Sequence, residues 1–155
     1  MLRNIQRHAR VPCRVEDMYR LVADVPSYSR FLPWCANARI LGKEAGTQDG
    51  EIVLAEMGLA WGPLRYRLRT RNHNHFPDRI RMKLVEGPLR ELDGTWKFAP
   101  AGPRDCEVEL DLSFVTGSRM MGHLVAPLIG EAMETLTDAF VEEARRRYPD
   151  GSHVG

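Results

Sequence analysis

The sequence predicts an α+β domain in which a strongly curved antiparallel sheet of about seven strands wraps around a long C-terminal helix. Three observations predict it. From residue 64 to residue 114 the chain sorts by parity, with apolar or small residues at even positions and mostly charged residues at odd ones. Side chains alternate faces along a strand, so this is the pattern of four strands with one dry and one wet face. The segments are joined by short turns, which favours an antiparallel meander. The chain then closes with one long stretch of helical periodicity, the element expected to cover the dry face.

The elements follow in order. Residues 2–11 read as a first strand of imperfect alternation, with Ile5, Ala9 and Val11 inward and Pro12 ending it. Val15 to Ala23 reads as a short helix, because Val15, Met18, Tyr19 and Val22 recur at helical spacing. Glu16 and Asp17 sit in its first turn, where negative charge suits the helix dipole. The aromatic, proline-rich stretch Pro26 to Cys35 reads as a second short helix or a tight loop. Residues 36–45 and 51–60 read as strands joined by a turn over Gly46 to Gly50. The four parity strands come next, punctuated by Asn74 to Asp78, Gly87-Pro88 and Pro100 to Asp105. Gly117-Ser118 starts the long helix, with Ser118 as its N-cap. It runs to about Tyr148 with an apolar stripe of Met121, Leu124, Val125, Leu128, Ile129, Ala132, Met133, Leu136, Ala139 and Phe140. Pro127 removes a backbone donor inside that helix and is expected to kink it. One domain over residues 1–150 and a disordered tail over 151–155 are expected.

Bulk properties exclude several classes. At 155 residues the chain is long enough for one substantial core. Net charge is +1, so the global balance points neither toward nor away from nucleic acid. No apolar run approaches the roughly 20 residues a membrane helix needs, and the basic N-terminus lacks the apolar core of a signal peptide. A cytoplasmic protein is expected. Cys13, Cys35 and Cys106 are an odd set without close spacing, which fits reduced thiols rather than a disulfide framework or a zinc site.

The run Tyr28-Ser29-Arg30-Phe31-Leu32-Pro33-Trp34-Cys35 resembles one found in the coenzyme Q-binding START-like family. Thr70-Arg71-Asn72 resembles a second short run of that family. Leu84-Val85-Glu86-Gly87-Pro88-Leu89, followed by Leu92, Gly94, Trp96 and Phe98, resembles a third, and Ala139, Phe140 and Ala144 also fit. Ser29 stands where proline is usual and Leu89 where phenylalanine is usual. The resemblance spans roughly residues 3–148. It implies a helix-grip (START/Bet v 1-like) fold with an internal cavity, within a polyketide cyclase-like superfamily. It also implies a non-enzymatic protein that binds or carries ubiquinone or a polyisoprenoid lipid and supports cellular respiration. The family includes toxins of toxin–antitoxin pairs that associate with the large ribosomal subunit and block subunit joining.

Two surfaces become candidate sites. On the dry face, Tyr66, Met82, Trp96, Phe98, Leu110 and Leu112, with Met133 and Leu136 of the helix, either line a lipid cavity or form an ordinary packed core. Burial of apolar area, roughly 25 cal/mol per Å², would drive such binding. No cofactor is required, and ubiquinone would be a bound ligand. Phe31, Leu32 and Trp34, stiffened by Pro33, form either a gate at the cavity mouth or a packed connection. Cys35 reads as a structural thiol ahead of a redox one, for lack of a neighbouring base.

On the wet face, Arg65, Arg67, Arg69 and Arg71 share parity with Arg79, Arg81 and Lys83. Paired as a hairpin, the two segments would place these cations on neighbouring strands, where like charges opposite one another are destabilising. Either Glu91 and Asp93 offset them, or the face meets an anionic partner: ribosomal RNA of the large subunit, or a membrane surface touched transiently. Nothing points to DNA. Arg145, Arg146 and Arg147 suit the helix C-terminus. His73 and His75 share a face, but no third ligand lies near, so no metal site is expected. No Ser/His/Asp order and no phosphate loop is present, and no catalytic residue is assigned. A cyclase or aromatase on this fold would instead require a buried acid or histidine facing the cavity.

Overall fold

A computed structural model of the chain describes residues 2–116 and 119–149, with the side chains of 119–125 outside the description. Seven strands form one antiparallel sheet: β1 (Leu2–Val11), β2 (Cys35–Ala45), β3 (Glu51–Trp61), β4 (Leu64–His75), β5 (Arg79–Glu86), β6 (Leu89–Pro100) and β7 (Cys106–Thr116). Their order is β1-β7-β6-β5-β4-β3-β2. Strands β2 to β7 are the expected meander. β1 joins its far edge beside β7, reached through helix α1 (Val15–Ala23) and a 3-10 segment (Val25–Arg30). Helix α2 (Arg119–Arg147) closes the chain and continues through Pro127. Ser118 as cap, the side chains of Met121, Leu124 and Val125, and the tail over 151–155 lie outside the described residues.

Parity governs the sheet as expected. Leu68, Thr70, Asn72 and Asn74 of β4, Ile80 of β5, Leu92, Gly94, Trp96 and Phe98 of β6, and all even positions of β7 from Cys106 to Phe114 are buried. On β3 the inner residues are odd, because Met57 stands opposite Leu68 and Val53 opposite Asn72. The turns follow their residues: Gly62 takes φ +58° between β3 and β4, where a side chain is disfavoured. The β2–β3 turn is closed by the Gly46 N–H to Gly50 carbonyl bond at 2.9 Å.

The cover of the sheet is broader than one helix. α1 packs on β6 and β7 and meets α2, and the 3-10 segment packs on β2. Leu21 joins the expected inward residues of α1. The long helix expected to cover the dry face thus shares that role with both short segments. At the other end of the core, Arg3 and Arg7 of β1 both bond Glu134 of α2, Arg3 at 3.0 Å, and so tie the helix to the sheet edge.

Candidate functional site: an interior cavity and a basic outer groove

Between α2 and the inner faces of β3, β4, β5 and β6 lies a cavity of about 50 Å³. Its lining among the described residues is Val25, Tyr28, Leu32, Trp34, Ala55, Met57, Leu68, Met82, Leu92, Trp96, Leu112, Met133 and Leu136, together with Thr70 and Asn72. Leu32, Trp34, Met82, Trp96, Leu112, Met133 and Leu136 of the expected set therefore meet around one space. Phe31, Tyr66, Phe98 and Leu110 do not line it. Phe98 is two residues beyond Trp96 on the same face, so it stacks on Trp96 at 6.1 Å and packs edge-on against Tyr19 of α1. Leu110 stands opposite Trp96 in the β6–β7 register and is fully packed. Tyr66 lies toward the β3–β4 turn, half-buried against the core. Phe31 packs on Tyr28 and Phe140 behind the lining.

Phe140 explains the small volume. Its ring centroid lies 5.2 Å from Tyr28, 5.1 Å from Phe31 and 5.2 Å from Trp96, each edge-to-face. It fills the space that a flat sheet-on-helix reading leaves open. Periodicity placed Phe140 on the apolar stripe but could not show that three aromatic rings converge on it. The Phe31 to Cys35 segment is pinned at both ends. The Cys35 N–H donates to the Leu32 carbonyl at 3.0 Å, and the Ala60 N–H of β3 donates to the Trp34 carbonyl at 2.9 Å. Tyr28 donates its hydroxyl to the Val22 carbonyl, and burial pushes its phenol well above the usual range.

The three thiols are free and buried. Burial pushes Cys35 up to about 11, so it is protonated at neutral pH, and its thiol lies 3.3 Å from the Asn37 carbonyl. Cys13 and Cys106, far apart in sequence, are neighbours in the core. The hydrogen bond they share and their burial push Cys106 up. Sequence spacing could not reveal this pair, because the long β1–β7 pairing brings it together.

On the outer face the register sorts the seven cations. Arg67 and Arg69 converge on Glu56 of β3, at 3.7 and 2.9 Å, together with Arg39 of β2 at 2.6 Å. Glu56 is 5 % exposed, sheathed by these guanidiniums, and the bonds from Arg39 and Arg69 hold its carboxyl below the usual range. Arg69 also faces Glu86, at 3.6 Å. Arg81 is bidentate on Asp93, at 2.9 and 3.2 Å. Asp93 thus takes the offsetting role expected of it for Arg81, and Glu56 and Glu86 take it for Arg67 and Arg69, whereas Glu91 forms none of the ion pairs among the described residues. The side chain of Arg65 bonds the carbonyls of Gly62 and Leu64.

The remaining cations are not neutralised by ion pairs among the described residues. Arg71 stands opposite Lys83, and Arg79 opposite Lys97. Arg65 and Arg67 stand opposite no residue of β5, because the β4–β5 register begins at Arg69, although the Arg67 side chain reaches Glu86 at 4.0 Å; this corrects the expectation of seven cations on one paired hairpin. Arg79, Arg81, Lys83, Lys97, His73 and His75 line an open groove of about 540 Å³ beneath the β2–β3 turn, with Glu51 and Thr95 among its walls. His75 bonds Asp78 at 2.6 Å, which lowers the Asp78 carboxyl. Lys97 and Thr95 were missed by the sequence reading, because β6 is acidic at its start and only register brings its basic end beside β5. No cluster of three or more metal-ligating side chains occurs among the described residues. Among the same residues, no helix is long and apolar enough to cross a membrane.

Three comparisons with known proteins bear on these surfaces. A family described as polyketide cyclase / dehydrase and lipid transport matches residues 11–141. The chain is 34 % identical to the ribosome association toxin RatA of Pseudomonas aeruginosa, over 96 % of this chain and 99 % of that one. It is 28 % identical to the coenzyme Q-binding protein COQ10 homolog B of Xenopus laevis, over 86 % of this chain and 54 % of that one. Among solved structures it resembles the Zhui aromatase/cyclase of Streptomyces sp. R1128, with a TM-score of 0.75, 16 % identity, and 95 % and 96 % of the two chains covered. That last likeness is one of fold: a START/Bet v 1-like helix grip.

Proposed function

The chain belongs to the polyketide cyclase / dehydrase and lipid transport family, and from that premise we propose that it is a non-enzymatic interaction protein that binds the large ribosomal subunit through the basic groove of β4, β5 and β6. The observation that carries this reading is the register that sets Arg71 against Lys83 and Arg79 against Lys97. Directly opposed like charges weaken a sheet. A polyanion laid along the groove would offset them and release its own counterions. Arg79, Lys83 and Lys97 line a concavity, with Arg71 outside its lining, and a concavity suits the phosphate ridge of folded RNA better than a flat lipid surface. The name of the Pseudomonas relative, matched over nearly the whole of both chains, supports association with the ribosome. Such a protein works in the cytoplasm.

Sucrose-gradient sedimentation tests it. The protein added to dissociated subunits co-sediments with the large one and reduces joining. The double variant Arg79→Glu, Lys83→Glu loses both effects. Equal sedimentation of the variant overturns the reading. Arg67, Arg69 and Arg81 are poorer targets, because they already hold acidic partners.

A second reading is favoured by the apolar lining and by the coenzyme Q-binding relative. In it the protein carries ubiquinone or a polyisoprenoid lipid in support of respiration. Ligand pockets are typically ~300–1,000 Å³, so at about 50 Å³ the cavity must open to admit a tail. Organic extraction of natively purified protein followed by mass spectrometry tests it, and recovery of no apolar compound overturns it. A cyclase or aromatase is less well supported, because among the described residues no acid or histidine lines the cavity.

A further inference from the structure

Strand β4 carries an inner column that is only partly apolar. Leu68, Thr70, Asn72 and Asn74 are 2, 5, 6 and 7 % exposed. Asn72 stands opposite Val53 and Met82, lines the cavity, and leaves its side-chain oxygen without a hydrogen-bond partner among the described residues. A buried amide oxygen left unmet is a standing cost to the fold. A water there would find Thr70 and Asn72 as partners, the minimum of the two to four it takes; the other polar groups of the lining are the Tyr28 hydroxyl, already bonded to the Val22 carbonyl, and the indole N–H groups of Trp34 and Trp96. Among the described residues the lining holds no charged side chain, so a charged ligand would be stranded beside them.

We propose that this cavity receives the hydroxyl-bearing end of a neutral apolar molecule, with the Asn72 side-chain oxygen accepting its hydrogen bond. The hydroxyl meets the unsatisfied acceptor, and the body of the molecule meets Met57, Met82, Leu92, Trp96 and Met133. The closed volume of about 50 Å³ is less than one aromatic ring needs. Trp34, Met57 and Met82 on its outer side are half-buried. Their movement toward solvent makes the room, and methionine side chains re-pack readily. The proposal uses the same cavity as the carrier reading but does not require its long tail.

Isothermal titration calorimetry with p-cresol and toluene tests it. The two probes differ in one hydroxyl. Their own hydration cancels when the cresol-to-toluene preference is compared between wild type and Asn72→Leu. That preference falls roughly tenfold in the variant, the worth of one hydrogen bond, while toluene binding persists. An unchanged preference overturns the anchor but leaves a general apolar cavity standing. Failure of both probes to bind wild type overturns the anchor and the cavity together.

Should Asn72→Leu fail to fold, the Asn72 side-chain amide resonance of wild type gives the answer. It shifts with p-cresol and holds still with toluene; equal response to both overturns the proposal. Gly94→Ala controls for location. A methyl there would meet Leu112 Cδ1 at 2.6 Å and Met82 Cε at 3.0 Å, crowding two cavity side chains. It weakens both probes, and no weakening would place their binding elsewhere and overturn the proposal. Competition by 4-dodecylphenol separates the ligand sources. Displacement of p-cresol assigns the hydroxyl to the head of a long-chain lipid, and no displacement assigns it to a small free phenol.

Discussion

Glu56 shows how a single residue decides the character of a surface. It sits on the outer face of β3, yet three arginines from two neighbouring strands close over it. Its folded carboxyl is lowered, chiefly by the bond from Arg39 and then by that from Arg69. A lowered folded value contributes stability that is present above the unfolded value and lost as pH falls through the folded one. Glu56→Gln is therefore expected to melt below wild type at neutral pH by a few degrees. The gap should narrow as pH drops through and below the carboxylate range, as thermal melts across pH would show. Equal melting at pH 7 would mean the arginines are solvated without it. The thiols give a second expectation at this scale. Cys13, Cys35 and Cys106 are all buried, so native protein should resist alkylation and label only on unfolding. Mass spectrometry after iodoacetamide treatment reads this directly.

At the scale of elements, β4 and α2 each join two surfaces. β4 presents Thr70 and Asn72 to the cavity and Arg71 and His73 to the outside, so alternation alone separates the candidate ligand site from the candidate RNA site. α2 inserts Phe140 among Tyr28, Phe31 and Trp96 and is tied to β1 through Glu134. The two attachments differ in strength. Phe140→Ala removes a ring that is 2 % exposed and should cost about 3–5 kcal/mol in urea unfolding. Glu134→Ala breaks bonds between groups about two-fifths exposed, at 39–42 %, and should cost under about 1 kcal/mol. A comparable loss in both would mean that the helix is held by charge rather than by packing.

For the whole molecule, the division between a dry interior and a charged exterior sets the expected behaviour. If the groove binds RNA phosphates, ribosome association should weaken steeply with salt, and each cation lost should lower the log–log slope by about one. Sedimentation at graded salt would measure it, and a flat response would assign the interaction to other forces. Much of this plan was legible in the residues. The parity of 64–114 identified the inner column of four strands, the turn residues located the hairpins, and the helical periodicity identified the cover. Asn72 was legible only as part of a short family run; the buried register and its unmet oxygen came from the structure. Phe140's role, the Cys13–Cys106 pair and the Lys97 side of the groove were not legible, because each depends on which strands become neighbours. By itself the sequence determined which side chains face in and which face out, since alternation is a local property of the extended chain. The tertiary structure alone decided how little room remains inside and which cations keep acidic partners. Volume and pairing depend on register and on how three covering segments converge, and those arise from contacts between residues far apart in the chain.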